Sequence, residues 1–443
     1  MNGMNVIEKS LNKLQLPGVV MLLSVLDWKM KLKWIFTRDK VLINKPQTQK
    51  VHVIFALFEK ESFRKDVLNV FKVLKDNGCY ISAINTKKID NKELSENEHL
   101  FDRYIERFNY GRDFSSYKSG IKKFFKYKNC AQTDTLLILN DSVFYGKKNL
   151  DSWVKELIDS KVQVTGTTEN LEVEHHLGSF TLAVKSKVFN NKVFKNYWKT
   201  YPDTDVRSRV IKNGELKFSK ILKKCVNNLT EFKAIYNSER FHEFMHSQES
   251  AEIKENFINY NRRETLQGLG LQIPTLNLNI LLQNMRRYIV EDRDLEESQT
   301  LKSRDVSETA FGKSLKILNE KDFNFISCSS DLKKYFHKNI TDEYERSQIN
   351  AKVEETIVYS WLETFRQGSQ IHTNCIILPK MGVPFIKLDL VYRGVCLRED
   401  IASIEENLDA EESKELISIL YSRPFGEVSH YGWRKVAFMN GLI

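Results

Sequence analysis

From residue 51 onward, short apolar runs alternate with stretches in which apolar residues recur every three or four positions. Val51–Leu57 (Val-His-Val-Ile-Phe-Ala-Leu) is nearly continuous and rich in β-branched and aromatic residues, which predicts a buried strand. Phe63, Val67, Leu68, Val70, Phe71 and Leu74 then keep helical spacing as far as Gly78, a C′ stop. Residues 79–84 predict a second strand, 103–108 a third and 135–139 (Thr-Leu-Leu-Ile-Leu) a fourth. Between the last two, Phe114, Tyr117, Ile121, Phe124 and Phe125 line one helix face. Leu150, Trp153, Val154, Leu157 and Ile158 predict another helix, residues 162–165 and 180–184 two more strands, and Phe194 with Trp198 a further helix. Strands alternating with helices predict an α/β fold with a doubly wound, mostly parallel sheet. Such sheets bind ligands beyond the carboxyl ends of their strands. The loops after residues 108 and 139 are therefore where chemistry is expected.

The first 50 residues follow another pattern. Their longest apolar stretch, residues 19–26 with Ser24 counted, falls short of the roughly 20 residues a membrane-spanning helix needs. Trp28, Leu32, Trp34, Ile35 and Phe36 are then interleaved with Lys29, Lys31 and Lys33. That mixture suits a helix lying on the anionic inner leaflet of a membrane, and equally an amphipathic helix packed on the domain that follows. Four regions result: a basic amphipathic segment at 1–50, a ligand-binding α/β unit at 51–260, a linker at 261–314 whose second half is dense in charge, and a second, more helical region at 315–443.

With 41% hydrophobic residues, 11% aromatics, 18 Gly and 7 Pro in 443 residues, the chain is composed as a folded protein, which excludes wholesale disorder, collagen and low-complexity repeats. The 68 Lys+Arg against 58 Asp+Glu leave a charge of +10, but no basic stripe with RNA- or DNA-module spacing accompanies it, so no nucleic-acid partner is expected. The six cysteines are far apart and form no CxxC pair, which argues against a disulfide framework and fits a reducing compartment. The first ten residues lack a basic stretch leading into a long apolar run, so no cleaved signal peptide is expected and the cytoplasm is the expected location.

The loop after the third strand reads Asn109-Tyr110-Gly111-Arg112-Asp113-Phe114 and runs into a helix. A helix start offers free N–H groups, Gly111 permits close backbone approach, and Arg112 supplies a planar cation, so an anion or nucleotide would fit here. Asp113 could accept from a ribose or base, or simply cap the helix. After the fourth strand, Asn140-Asp141-Ser142 places a carboxylate at the sheet's carboxyl edge, where it could hold a divalent cation or merely begin an Asx-turn.

These two loops, with His176-Leu177-Gly178-Ser179-Phe180, the basic stretch at 207–211 and Gly214-Glu215-Leu216, resemble the rhamnan synthesis F family of bacterial polysaccharide glycosyltransferases over about residues 51–225. Residues 373–398, with Gly382-Val383-Pro384-Phe385-Ile386-Lys387 and Leu388-Asp389-Leu390, are similar to a second block of related cell-surface polysaccharide enzymes. The resemblance implies a GT-A-type nucleotide-sugar fold over residues 51–260. It also implies transfer of a sugar, commonly rhamnose or another deoxyhexose from a nucleotide diphosphate, onto a lipid-linked or growing glycan. Asn109, Gly111, Arg112, Asp113, Asn140 and Asp141 would then bind the donor, with Asp141 holding Mg²⁺ or Mn²⁺. Glu215 would take the acceptor proton in an inverting transfer, and His176 and Ser179 would line the acceptor side. The C-terminal region would be an accessory or acceptor domain. Many GT-A enzymes carry Asp-x-Asp, and this chain has one acid there; Glu169, Glu172 and Glu174 are alternative bases.

Two rivals come from other classes. His242-Glu243-Phe244-Met245-His246 matches the HExxH helix of zinc peptidases, with Glu264 as the nearest third ligand. A non-catalytic polysaccharide-assembly protein that keeps the fold is the other.

Overall fold

The computed structural model describes residues 21, 23–171, 173–256, 328–337, 341–364, 369–391, 396 and 398–422. The expected linker at 261–314, and with it Glu264, lies outside these residues, as does Glu172.

The strands are β1 (Lys40–Asn44), β2 (Val51–Leu57), β3 (Cys79–Asn85), β4 (Arg103–Glu106), β5 (Thr135–Asn140), β6 (Val143–Tyr145), β7 (Val164–Asn170), β8 (His176–Leu177), β9 (Thr181–Lys185), β10 (Phe232–Tyr236) and β11 (Phe385–Lys387). Among the described residues they build a large sheet in the order β1-β4-β3-β2-β5-β9-β7-β10, with β8 on β7, and a separate β11–β6 pair. β4, β3, β2 and β5 are parallel, as are β7 and β10, while β1 and β9 run against them. The expected α/β architecture, a mixed and mostly parallel sheet covered on both faces, is what the chain adopts.

The helices are α1 (residues 23–35), α2 (Lys65–Asp76), α3 (Asn91–Glu96), α4 (Arg112–Lys126), α5 (Leu150–Asp159), α6 (Ser186–Phe189), α7 (Lys192–Thr200), α8 (Arg207–Val210), α9 (Lys217–Cys225) and α10 (Ser238–His246), followed by helices in the C-terminal part. Alternation along the central strands divides them between two cores. Val53, Phe55 and Leu57 of β2 pack with Val67, Val70 and Phe71 of α2 and Trp153 of α5. Ile54 and Ala56 turn to the opposite layer, with Phe114 and Tyr117 of α4, Trp198 of α7 and Phe218 of α9. Continuous apolar strands are what burial on both faces demands.

Several boundaries move. β4 ends at Glu106 rather than 108, where Arg107 turns inward to donate to the Tyr110 carbonyl at 2.7 Å. β7 begins at Val164 and runs to Asn170, past the expected 165, because pairing with β8, β9 and β10 holds a Thr-rich segment that carries little apolar signal. The boundary expected at 314 lies outside the described residues, and part of the C-terminal region packs into the core of the α/β unit. Ile349, Val353, Ile357 and Trp361 of helix Glu343–Thr364 join the same core as β2 and α2. β11 adds to β6 in antiparallel register, Lys387 opposite Val143. No helix among the described residues is long and apolar enough to cross a membrane.

Candidate functional site

The sheet order reverses at β2 and β5, and the crevice beyond their carboxyl ends is where an open α/β sheet usually holds its ligand. Here it is filled by the protein's own side chains. Asp141 Oδ2 accepts from Phe58 N–H at 2.5 Å. Arg64 donates to the carbonyls of Asp141 (3.0 Å) and Val143 (2.9 Å) and grips Asp66 with two nitrogens at 2.9 and 3.1 Å. Glu59 lies 3.4 Å from the same guanidinium. Burial opposes the Arg64 charge, but Asp66, Glu59 and Asp141 outweigh it and hold the group ionised well above the ordinary arginine range.

The loop between β4 and α4 also satisfies itself. Gly111 takes φ +83°, open to glycine, and Arg112 follows at φ +54°. The Gly111 N–H, expected to face an anion, donates instead to Asp205 Oδ1 at 2.6 Å, and Arg112 Nε donates to the Asp205 carbonyl at 2.9 Å. Asn109 is half-buried in the same turn. Asp113 caps the helix from within, accepting from Phe114 N–H at 2.9 Å, while its other oxygen accepts from Asn140 Nδ2 at 3.1 Å. Two residues from the separately predicted loops thus meet directly.

A third element joins them. Residues Ile211–Leu216 form one wide, π-type turn between α8 and α9, a feature frequent at functional sites. Gly214 brings this turn against the first turn of α4, since a Cβ there would lie 2.8 Å from the Phe114 ring. Glu215 is thereby set near Asp113. Burial first, and the Asp113 carboxylate second, push the Glu215 carboxyl above its ordinary range; Lys387, Arg207 and a hydrogen bond from Ser179 pull the other way. Burial likewise pushes Asp113 up, against the Phe114 N–H, Arg112 and Lys387.

Lys387 arrives from β11, which lies on β6 immediately after the Asn140–Ser142 loop; its ammonium donates to Ser142 Oγ at 2.8 Å. Burial holds its proton affinity below the ordinary lysine range, with Asp389, Asp113 and Glu215 opposing that only in part. Asp389 is buried, which disfavours its charge, yet His372 Nε2 at 2.8 Å, with Lys387 and Arg207 beyond, holds its carboxyl well below the usual range. Two hard-to-ionise carboxyls, Asp113 and Glu215, therefore lie within electrostatic reach of the half-buried Lys387 in one recess at the carboxyl edge.

The segment carrying most of this recess matches a known family. The model for "Rhamnan synthesis protein F" aligns with residues 80–288. Over those residues the chain is similar to that family. The name places the family in polysaccharide biosynthesis. The chain is also 26% identical over 174 residues to the uncharacterized protein y4gN of Sinorhizobium fredii, covering 38% of this chain and 44% of that protein. It is 26% identical over 180 residues to virulence protein VirA of Vibrio anguillarum, covering 39% of this chain and 56% of that one. The chain spans about half the length of these relatives.

The rhamnan synthesis F segment includes Asp113, Asn140, Ser179 and Glu215, whereas Lys387, Asp389 and His372 come from beyond it. His176, on β8, is buried with Nδ1 at 2.8 Å from the Glu174 carbonyl. Burial lowers its proton affinity. Two alternative bases are engaged elsewhere, Glu169 with His175 at 3.0 Å and Glu174 with Lys220 at 2.9 Å. A Mg²⁺ or Mn²⁺ on Asp141 would share the carboxylate with the Phe58 N–H and stand beside the Arg64 guanidinium, so these residues do not fit a divalent cation. His242 and His246 lie one turn apart on α10 with their Nε2 atoms 3.0 Å apart, and among the described residues no third His, Cys, Asp or Glu completes a metal set with them.

The sequence by itself points to no role for Lys387, Asp389, His372 or Asp205. The one available signal was the pattern of charges at 387 and 389 alternating with apolar residues inside the second resembling block, which places both on one face of an extended strand.

Proposed function

We propose that the chain is a glycosyltransferase that moves a sugar from a nucleotide diphosphate donor, rhamnose or another deoxyhexose, onto a growing cell-surface polysaccharide, in a GT-A-like domain. The observation that carries this reading is that Glu215 and Asp113 lie within electrostatic reach of Lys387, and Glu215 of Arg207 as well, at the carboxyl edge of the sheet. The match of residues 80–288 to the rhamnan synthesis F family supports the substrate class.

Within this proposal each group has a chemical task. As the glycosidic bond to the diphosphate breaks, negative charge builds on the leaving oxygens. Lys387 and Arg207 offset it from a low-dielectric setting, where fixed cations act most strongly. Glu215 accepts the proton of the attacking hydroxyl. Its raised proton affinity brings it closer to the working pH, which favours proton transfer. Ser179 orients Glu215, and Asn140 orients Asp113 toward the donor's hydroxyls. Attack from the face opposite the leaving group would invert the anomeric centre.

The test is calorimetric titration of the full chain with a panel of nucleotide sugars, followed by transfer to a glycan acceptor. Saturable binding of one donor, lost on Lys387→Met, is the expected result. If no nucleotide sugar binds while the protein melts cooperatively, the reading fails.

A further inference from the structure

Helix α1 has two contrasting faces, and among the described residues only one packs on the protein. Leu23, Asp27, Met30 and Trp34 are spaced by 4, 3 and 4 residues and face the α/β domain. Leu23 is only 5% exposed. Trp34 packs on Tyr110 with ring centroids 5.5 Å apart. Asp27 accepts from Tyr110 Oη at 3.1 Å, from Thr204 Oγ1 at 2.9 Å and from the Asp205 N–H at 2.8 Å. The helix is therefore anchored to the same Asp205 that holds Gly111 at the start of α4.

The opposite face is apolar and exposed among the described residues. Met21, Val25, Trp28, Leu32 and Ile35 repeat at intervals of 4, 3, 4 and 3, and Phe36 extends the stripe. Their exposures reach 71% for Met21, 62% for Trp28 and 87% for Phe36, against the 5% of Leu23 on the anchored side. At 3.6 residues per turn, Lys29 and Lys33 border the stripe on one side and Lys31 on the other, all exposed. We infer that α1 lies on an anionic lipid bilayer, its stripe sunk among the acyl chains and its lysines at the headgroups. The flanking charge selects this occupant. Protein interfaces are depleted in lysine, whereas a lysine beside lipid keeps its stem in the apolar layer and its ammonium at the phosphates. A second copy would bring two lysine-bordered stripes of a +10 chain together. Docked in this way, α1 would turn the edge that carries Tyr110, Gly111 and Asp205 toward the lipid surface, through Asp27 and Trp34. The inference does not depend on glycosyl transfer.

The experiment is co-sedimentation of the full chain with vesicles of phosphatidylglycerol and phosphatidylethanolamine, compared with phosphatidylcholine alone. The wild type should partition onto the anionic vesicles, less so as salt rises, with a blue shift of tryptophan emission. Trp28→Glu combined with Phe36→Glu should weaken partitioning by about tenfold or more. The triple change Lys29→Gln, Lys31→Gln, Lys33→Gln, at exposed positions that leave the anchored face intact, should cost roughly fivefold per lysine. Failure of the wild type to bind anionic vesicles overturns the inference, as does undiminished binding by both variants. Binding that appears only after removal of residues 1–20 would make that segment the occupant, and a dimer in solution that Trp28→Glu abolishes, without vesicle binding, would make it a second copy. Either result overturns the inference.

Discussion

Two crevices lie along the carboxyl edge of the same sheet, and both hold carboxylates close to a half-buried cation. Beyond β2 and β5, Asp141, Asp66 and Glu59 surround Arg64. A few residues away, Asp113 and Glu215 face Lys387. In the first crevice every strong partner is internal: two nitrogens of Arg64 meet both oxygens of Asp66, a third meets a carbonyl, and the Asp141 carboxylate takes an N–H. Burial pushes carboxyls toward the neutral form in both crevices: Asp66 in the first, against its two bonds from Arg64, and Asp113 and Glu215 in the second, where the Asp113 carboxylate adds to the push on Glu215. What differs is pairing: a carboxylate gripped by a guanidinium stabilises a fold, while a raised carboxyl without such a grip can exchange protons with a substrate. The lesson is that a carboxylate at the right edge of the right sheet is available for chemistry only if its neighbours leave it so.

Substitutions in the two crevices should pull apart in opposite senses. Glu215→Gln is expected to lower kcat by about 10²–10⁴, the usual worth of a positioned base. It should not lower the unfolding midpoint at pH 7. The folded state raises the Glu215 proton affinity, so any stability contributed by that group is present at low pH and lost as pH rises through its folded value. A large loss of stability in this variant would place Glu215 with the structural network instead. Arg64→Ala should do the reverse, costing about 3–5 kcal/mol in urea unfolding because Asp66 and the Asp141 carbonyl are left without their partner.

Smaller effects refine the picture. Lys387→Met should raise the donor KM by roughly tenfold to a hundredfold, the scale of one charge-assisted hydrogen bond, with less change in folding. His372→Ala should cost about 2 kcal/mol at pH 7. Asp389 has its proton affinity lowered by folding, so its contribution is complete above the ordinary value of 3.8 and disappears as pH falls below it. The gap between His372→Ala and wild type should therefore narrow in unfolding curves taken at progressively lower pH. The smallest expected effect is that of a chelator. Because Arg64 already stands beside Asp141, EDTA should leave donor binding and transfer unchanged, and a loss restored by Mn²⁺ would show that the first crevice holds the metal after all.

Much of the site was legible in the chain before folding was considered, and the exceptions are instructive. Asn140 and Asp113 were both singled out as the residues following apolar strands, and their side chains meet at 3.1 Å. Glu215 was singled out by its place after Gly214, and the π-type turn does bring it beside Asp113. Arg112 was read as a cation for phosphate, and the loop instead folds onto Asp205. Local sequence shows that a helix start has N–H groups to offer; it does not show that a carboxylate nearly a hundred residues later will take one. β1, β6, β8, β10 and β11 were not anticipated because short strands at edges and turns carry too few residues to display a period.

The alternation of apolar runs with 3.6-residue periodicity was enough to specify the central strands, the helices over them and the edge at which ligands gather, because burial on two faces constrains every residue of a strand at once. The composition of the recess was settled by long-range packing. Lys387 donates to Ser142 across 245 positions of chain, brought there by three residues of strand pairing and a shared core, and nothing local to either residue encodes the meeting. Which carboxylates stay available, and which are consumed by Arg64 or His372, follows from desolvation and charge pairing, both properties of what surrounds a group in space and not of its neighbours along the chain.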